Sequence, residues 1–309
     1  MSATDLKTIY VVAGPTASGK SGLGIVLAEH LDGVIVNADS MQIYQGLEIL
    51  TAQPDADDLA RVPHRLYGVM DPADVCSAGL WRQMAIDEIN QIFRSGKTPI
   101  IVGGSGLYLQ ALMEGIAPIP DIPGDIRANI RAHHGEIGNE AFRAELLASD
   151  PGSASIGATD AQRMIRAMEV WSATGRSLKS WQGEPKQGPD PDWHFISILL
   201  DPPRADVYAA IEERFDQMID AGAMAEAMAL GDRALDSGLP AMKALGVAEL
   251  IKAGRGEIPM EAALTRAKTL SRNYAKRQIT WFKGQMIADK TIFEKYSERF
   301  KGKILSYIL

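Results

Sequence analysis

The stretch that most constrains this chain is Thr8 to Ser21, TIYVVAGPTASGKS. Ile9, Tyr10, Val11, Val12 and Ala13 form a short apolar and β-branched run, the mark of a buried strand. Gly14, Gly19, Lys20 and Ser21 then satisfy G-x-x-x-x-G-K-[ST], with Pro15, Thr16, Ala17 and Ser18 between, and Leu23 to Leu31 reads as the helix that follows. Strand, loop and helix in this order make a phosphate-binding loop. Its glycines let backbone N–H groups converge on phosphate oxygens, the helix N-terminus adds a positive dipole end, and Lys20 supplies a point charge. Ser21 is placed to put a hydroxyl on an accompanying Mg²⁺. An ordinary glycine-rich turn leaves the Lys–Ser pair unexplained.

The rest of the chain supports an α/β protein with a P-loop NTPase-like parallel sheet flanked by helices. Val34 to Val36 reads as a second strand ending in Asn37-Ala38-Asp39-Ser40-Met41-Gln42, and Pro99 to Val102 as another, closing in Gly103-Gly104-Ser105-Gly106. In an open α/β sheet, loops beyond the strand C-termini line the ligand crevice, so Asp39 is expected to face the same crevice as Lys20. An Asp in this place is also often a helix N-cap, but Ser40 and Gln42 beside it favour a site. Residues 51–75 read as irregular, and His64 within them as structural rather than catalytic. Phe195 to Asp201 is the only apolar run that ends in Asp; as a Walker B strand it would suit a nucleotide hydrolase.

Two proline-rich stretches, Ala117 to Gly124 and Gly183 to Trp193, read as linkers. They divide the chain into a core of residues 1–118 and 192–309 and an inserted small helical subdomain of residues 119–191, hinged as a lid requires. In the insert, Thr159 to Gln162 has the form of a capping box, and Gly175 suits the C-terminal cap of the helix it starts. Ala161, Met164, Ile165 and Met168 form that helix's apolar stripe. Gln162, Arg163, Arg166 and Glu169 lie on the other side, either as a solvated face with an Arg166–Glu169 pair or as a phosphate clamp.

Charge sharpens the picture. The formal net charge is −7, yet Ala262 to Ala288 has no acidic residue and six basic ones, Arg266, Lys268, Arg272, Lys276, Arg277 and Lys283, which leaves −13 elsewhere. A basic patch on an acidic protein points to a docking surface for an anion. It falls on a helix near Leu264 to Gly284, with Ala267, Leu270, Tyr274 and Trp281 on its apolar stripe and Lys268, Arg272 and Lys276 on another face. Trp281 suits the core better than a base-stacking platform. Cys76 is the only cysteine, which rules out a disulfide framework and a cysteine-based zinc site. The start MSATDLKTIY lacks a signal-peptide pattern and no apolar run reaches membrane length, so a cytoplasmic protein is expected, with no membrane association.

GPTASGKS (Gly14–Ser21), NADSMQIY (Asn37–Tyr44), GGSGLY (Gly103–Tyr108), DAQRMIRAMEV (Asp160–Val170) and KRQITWF (Lys276–Phe282) occur in this order. Together they resemble the bacterial tRNA dimethylallyltransferases, with TAQP (Thr51–Pro54) and VPH (Val62–His64) as further similar segments. The resemblance runs to about Phe282; the tail beyond carries little signal. It implies transfer of a dimethylallyl group from dimethylallyl diphosphate to N6 of adenosine 37, beside the tRNA anticodon. On that basis Gly14 to Ser21 hold the diphosphate, Lys20 and a Mg²⁺ on Ser21 neutralise the leaving group, Asp39 takes the N6 proton, and Ser105 contacts the acceptor. The segments Asp39-Ser40-Met41-Gln42, Gln162-Arg163-Met164-Ile165-Arg166 and Lys276 to Lys283, including Arg277, Gln278, Trp281 and Lys283, match those that contact tRNA, with Arg127 a further candidate. The anticodon stem-loop would be the macromolecular partner, with no obligate protein partner and a monomer expected. Gly246-Val247-Ala248-Glu249 departs from the family's frequent Gly-Tyr-Lys-Glu, so contacts made by that Tyr and Lys are not carried over.

Three other readings share the phosphate loop. An adenylate isopentenyltransferase acts on a free nucleotide, which needs neither the helical insert nor the basic helix. A P-loop small-molecule kinase, or a nucleotide-dependent binding module without group transfer, would be favoured by Asp201 in a Walker B role.

Overall fold

A computed structural model describes residues 6–308. In chain order the elements are β1 (Lys7–Ala13), α1 (Lys20–His30), β2 (Gly33–Asn37), α2 (Ala56–Arg61), β3 (His64–Arg65), α3 (Ala78–Arg94), β4 (Thr98–Gly103), α4 (Gly106–Met113), α5 (Gly124–Ser149), α6 (Ala161–Thr174), α7 (Leu178–Gln182), β5 (Trp193–Leu200), α8 (Arg204–Asp220), α9 (Ala223–Asp232), α10 (Val247–Gly254), α11 (Met260–Gln285), β6 (Lys290–Ile292) and α12 (Lys301–Ile308). They form two compact units, one of Met1–Met113 with Asp190–Leu309 and one of Glu114–Pro189.

The larger unit is built on a six-stranded sheet in the order β3-β2-β4-β1-β5-β6, parallel at every junction. β1 lies between β4 and β5, strands reached by crossovers to opposite sides, so the crevice of an open α/β sheet falls at its C-terminal end. That end is where the glycine-rich loop begins. β1, β2, β4 and β5 carry buried apolar runs, Val11–Ala13, Val34–Val36, Pro99–Val102 and Ile198–Leu200, as strands covered on both faces do. Val11 and Ala13 of β1 join Val36, Trp81, Ile101 and Phe282 in one core cluster, whereas Val12 joins Ile35, Val102 and Leu27 in another. Successive residues pointing to opposite faces produce this division.

Two segments are more ordered than the sequence suggests. Residues 51–75 include α2, capped by the Asp55 side chain accepting from the Asp58 N–H at 2.9 Å, and β3 on the sheet edge. Beyond Phe282 the tail adds β6, whose Lys290, Thr291 and Ile292 pair with Ile198, Leu199 and Leu200. Tyr296, Ile304 and Ile308 then join the core cluster that contains α1. Periodicity missed both, since a two-residue and a three-residue strand are too short to alternate visibly.

The smaller unit is helical. α5 bends at Gly138, whose φ of 73° is outside the helical range, and Phe142 and Leu146 beyond the bend pack on Met164, Ala167 and Met168 of α6. Asp160, not Thr159, caps α6, its side chain accepting from the Arg163 N–H at 3.1 Å; Gly175 closes it with φ 65°. Glu169 turns inward and is buried, with Arg131 and Arg166 each 3.4 Å from its carboxylate.

Candidate active site

The phosphate loop is held from several directions. Gly19 has φ 91°, and a Cβ there would lie 2.8 Å from the Tyr296 carbonyl oxygen, so the position is closed to other residues on both counts. Lys20 folds its Nζ onto the Pro15 carbonyl at 3.0 Å. Burial pushes its pKa down to about 8, against the pull of the Asp39 carboxylate and with a smaller push from Arg214. Arg214, from α8, donates to Thr16 Oγ1 at 2.5 Å, and burial lowers its pKa too, opposed by Asp39. Two cations and one carboxylate therefore meet over the loop.

The Asp39 segment is fixed by Asn37, the last residue of β2. Its buried amide donates to the carbonyls of Asp39 and Leu66, each at 3.0 Å, and its Oδ1 accepts from the Asp39 N–H at 2.7 Å. Asp39 Oδ1 accepts from the Met41 N–H at 3.0 Å, while Oδ2 has no hydrogen-bond donor among the described residues. The serine turn after β4 locks this segment in place. Ser105 Oγ accepts from the Ser40 N–H at 2.9 Å and donates to Ser40 Oγ at 3.2 Å. That approach needs Gly103, because a Cβ there would stand 2.1 Å from the Ala38 backbone. Gln42 points its amide at the carbonyls of Thr51 and Ala52, at 2.9 and 2.6 Å.

A cleft of about 480 Å³ opens between these parts, lined by Lys20, Ser21, Asp39, Gln42 and Arg214 among others. The expectation that Asp39 and Lys20 share one crevice is met. The phenols of Tyr67 and Tyr274 stand near Asp39; burial raises their pKa values and the carboxylate adds to the effect, so both stay protonated. Asp201 does not line the cleft. Its carboxylate pairs with Lys283 at 3.3 Å and its N–H donates to the Ile292 carbonyl, which removes it from a Walker B role.

On α11 the basic residues divide. Lys268 pairs with Asp216 at 2.6 Å and Arg272 with Glu212 at 2.5 Å, both carboxylates coming from α8. Leu270, expected on the apolar stripe, is 40% exposed, while Gln278 is buried on the core side. Lys276, Arg277 and Trp281 line a shallow groove with Asn273 and Thr280. Trp281 packs against Gly106 and is half-buried, serving core and groove together. Gln278 and Met164, both included among the expected tRNA contacts, are buried side chains. Gln278 spends its amide on the phosphate loop and Gly104, and Met164 belongs to the core of the helical unit, so neither presents its side chain to a ligand. Ile165 packs partly into the same core, and Arg163 stays exposed. Arg127 is half-buried, and its Nε has no hydrogen-bond partner among the described residues.

Known proteins bear on this geometry. Residues 42–285 match the family model for IPP transferase. The chain belongs to the IPP transferase family. It is 48% identical to a tRNA dimethylallyltransferase of Rhodospirillum centenum over 91% of this chain and 90% of the relative, and 48% identical to that of Parvibaculum lavamentivorans over 96% and 95%. Among solved structures, a tRNA isopentenylpyrophosphate transferase from Bacillus halodurans superposes with TM-score 0.70 at 30% identity, covering 98% of this chain and 95% of that one. A eukaryotic dimethylallyltransferase acting on tRNA superposes with TM-score 0.76 at 25% identity, over 89% and 70%. The matches make this IPP transferase a transferase with the fold of its relatives. Its site also contains Arg214 and the two tyrosines, which motif reading passed over. Arg214 sits in sequence among Glu212, Glu213 and Asp216, so its charge looks compensated until the fold turns it inward.

Proposed function

We propose that this transferase moves a dimethylallyl group from dimethylallyl diphosphate to N6 of adenosine 37 of tRNA. The observation that carries the reading is the cleft itself, where a phosphate loop with Lys20 and Arg214 lies against a carboxylate, Asp39, whose Oδ2 has no hydrogen-bond donor among the described residues. The relatives' activity supports the same reading.

The exocyclic N6 is a weak nucleophile, because its lone pair is delocalised into the purine ring. As N6 forms a bond to C1 of the dimethylallyl group, the bond from C1 to the diphosphate oxygen breaks and its electron pair leaves with the diphosphate. Asp39 Oδ2 takes the proton from N6, which keeps positive charge off the adenine. The loop N–H groups, Lys20 and Arg214 counter the charge that grows on the leaving oxygen. Ser21 and Asp39 both offer oxygen donors in this cleft, as Mg²⁺ prefers. No group of three or more His, Cys, Asp or Glu gathers among the described residues. A Mg²⁺ on Ser21 Oγ would thus draw its remaining ligands from diphosphate and water, and would supply further charge neutralisation. Ser105 and Tyr274 position the Asp39–Gln42 loop. Lys276 and Arg277, with Arg127, Gln162, Arg163 and Arg166 of the helical unit, are assigned to the RNA backbone, where sequence-independent contacts set register.

Incubation with Mg²⁺, labelled dimethylallyl diphosphate and either unmodified tRNA or AMP tests the reading. Label in tRNA is the expected result. Label in AMP alone would instead make the protein a free-nucleotide isopentenyltransferase.

A further inference from the structure

The tail after Phe282, which carries no recognisable motif, returns to the phosphate loop. β6 extends the sheet beside β5, and the Ile292 carbonyl accepts from the Asp201 N–H at 2.8 Å. Four residues later the Tyr296 N–H donates to the Ser18 carbonyl at 3.2 Å, inside the loop itself. Tyr296 is 6% exposed, and its backbone and ring lie so close to Gly19 and Gly22 that a Cβ at either would meet them at 2.8 and 3.1 Å. The segment is thereby anchored at both ends. Lys295, between the anchors, lines the same cleft as Lys20 and Asp39.

The charge balance of the cleft gives Lys295 its importance. Its ionisable lining is Lys20, Arg214 and Lys295 against Asp39, Asp58 and Glu213, so the cleft is neutral with Lys295 and carries −1 without it. Neighbouring Glu294 is 3.8 Å from Lys303, and Lys295 has no ion-pair partner among the described residues. An ammonium on a flexible stem, without an ion-pair partner among the described residues and at the rim of a phosphate-loop cleft, has the chemistry to bind phosphate.

We propose that Lys295 binds the diphosphate of the prenyl donor, making the C-terminal tail part of the active site. The proposal rests on reading the cleft as the diphosphate site. Both are tested by titrating the full-length protein with inorganic pyrophosphate and Mg²⁺, using wild type, Lys20→Ala, Lys295→Ala and Lys295→Arg. Loss of one charge-assisted contact should weaken pyrophosphate binding by roughly tenfold in Lys295→Ala. Lys295→Arg should bind nearly as wild type, the deficit should shrink as salt rises, and tRNA affinity should not change. If Lys20→Ala abolishes pyrophosphate binding while Lys295→Ala matches wild type, the role of Lys295 is wrong and the diphosphate site stands. A Lys295→Ala defect confined to tRNA binding would equally overturn it. If wild type fails to bind pyrophosphate, or Lys20→Ala binds it unchanged, the diphosphate reading itself falls and the proposal with it.

Discussion

Gln278 joins the phosphate loop to the serine turn: its Oε1 accepts from the Thr16 N–H at 2.8 Å and its Nε2 donates to the Gly104 carbonyl at 2.9 Å. These two loops follow β1 and β4, adjacent strands of the sheet, and the residue that ties them comes from α11. The helix that carries Lys276 and Arg277 is thus pinned to the site where phosphate is expected to bind. One buried amide ties the phosphate loop, the serine turn and the basic helix together.

Gln278→Ala should cost about 2 kcal/mol, since two largely buried hydrogen bonds are lost, and should weaken pyrophosphate binding as the loop relaxes. Gln278→Glu cannot donate to Gly104 and should also destabilise. Chemical denaturation measures both, and a midpoint equal to wild type would mean the clasp contributes nothing.

Asp39→Ala should leave tRNA affinity intact and lower turnover by roughly 10²–10⁴. Single-turnover transfer with saturating tRNA reads this directly. Undiminished turnover would remove Asp39 as the base.

Lys20 carries a cost in the free protein. Its pKa is about 8 in the fold against 10.5 for an ordinary lysine, so the unfolded chain holds the proton more tightly. The native state is therefore penalised below pH 8, and the penalty fades as pH climbs from about 8 to 10.5. Lys20→Met should melt higher than wild type at pH 7, with the gap closing across that window, while pyrophosphate binding is lost. Equal melting temperatures at all pH values would contradict the burial of this charge.

The pairing on α11 separates its cations. Lys276→Ala and Arg277→Ala should each reduce the slope of log K against log salt for tRNA by about 0.7–0.9. Lys268→Ala and Arg272→Ala should leave it nearly unchanged, because Asp216 and Glu212 already neutralise those residues. A full slope change from the second pair would place RNA on the wrong face of the helix.

Much of this site was legible because it is local. The phosphate loop, the Asp39 segment and the serine turn each follow a strand within a few residues, and the sheet rule then brings them together. Partners that depend on long-range packing were not legible. Arg214 reaches Thr16 across 198 residues and Gln278 reaches it across 262, and neither helix has a pattern that names its target. Gln278 reads as an RNA contact for that reason, as does Met164, although its place on an apolar stripe is itself the signal of burial; both side chains are buried. Glu169 reads as part of the polar side of α6, open as a solvated face or a phosphate clamp, yet α5 packs on α6 and Arg131 of α5 pairs with it. The tail was overlooked because β6 is three residues long and makes sense only beside β5.

The most direct test of the whole account is nucleoside mass spectrometry on tRNA after reaction with dimethylallyl diphosphate. Two transcripts should be compared, one with adenosine at position 37 and one with guanosine there. The account predicts N6-(dimethylallyl)adenosine in the first and no modified nucleoside in the second. Equal modification of both, or a prenyl group found elsewhere in the tRNA, would contradict it.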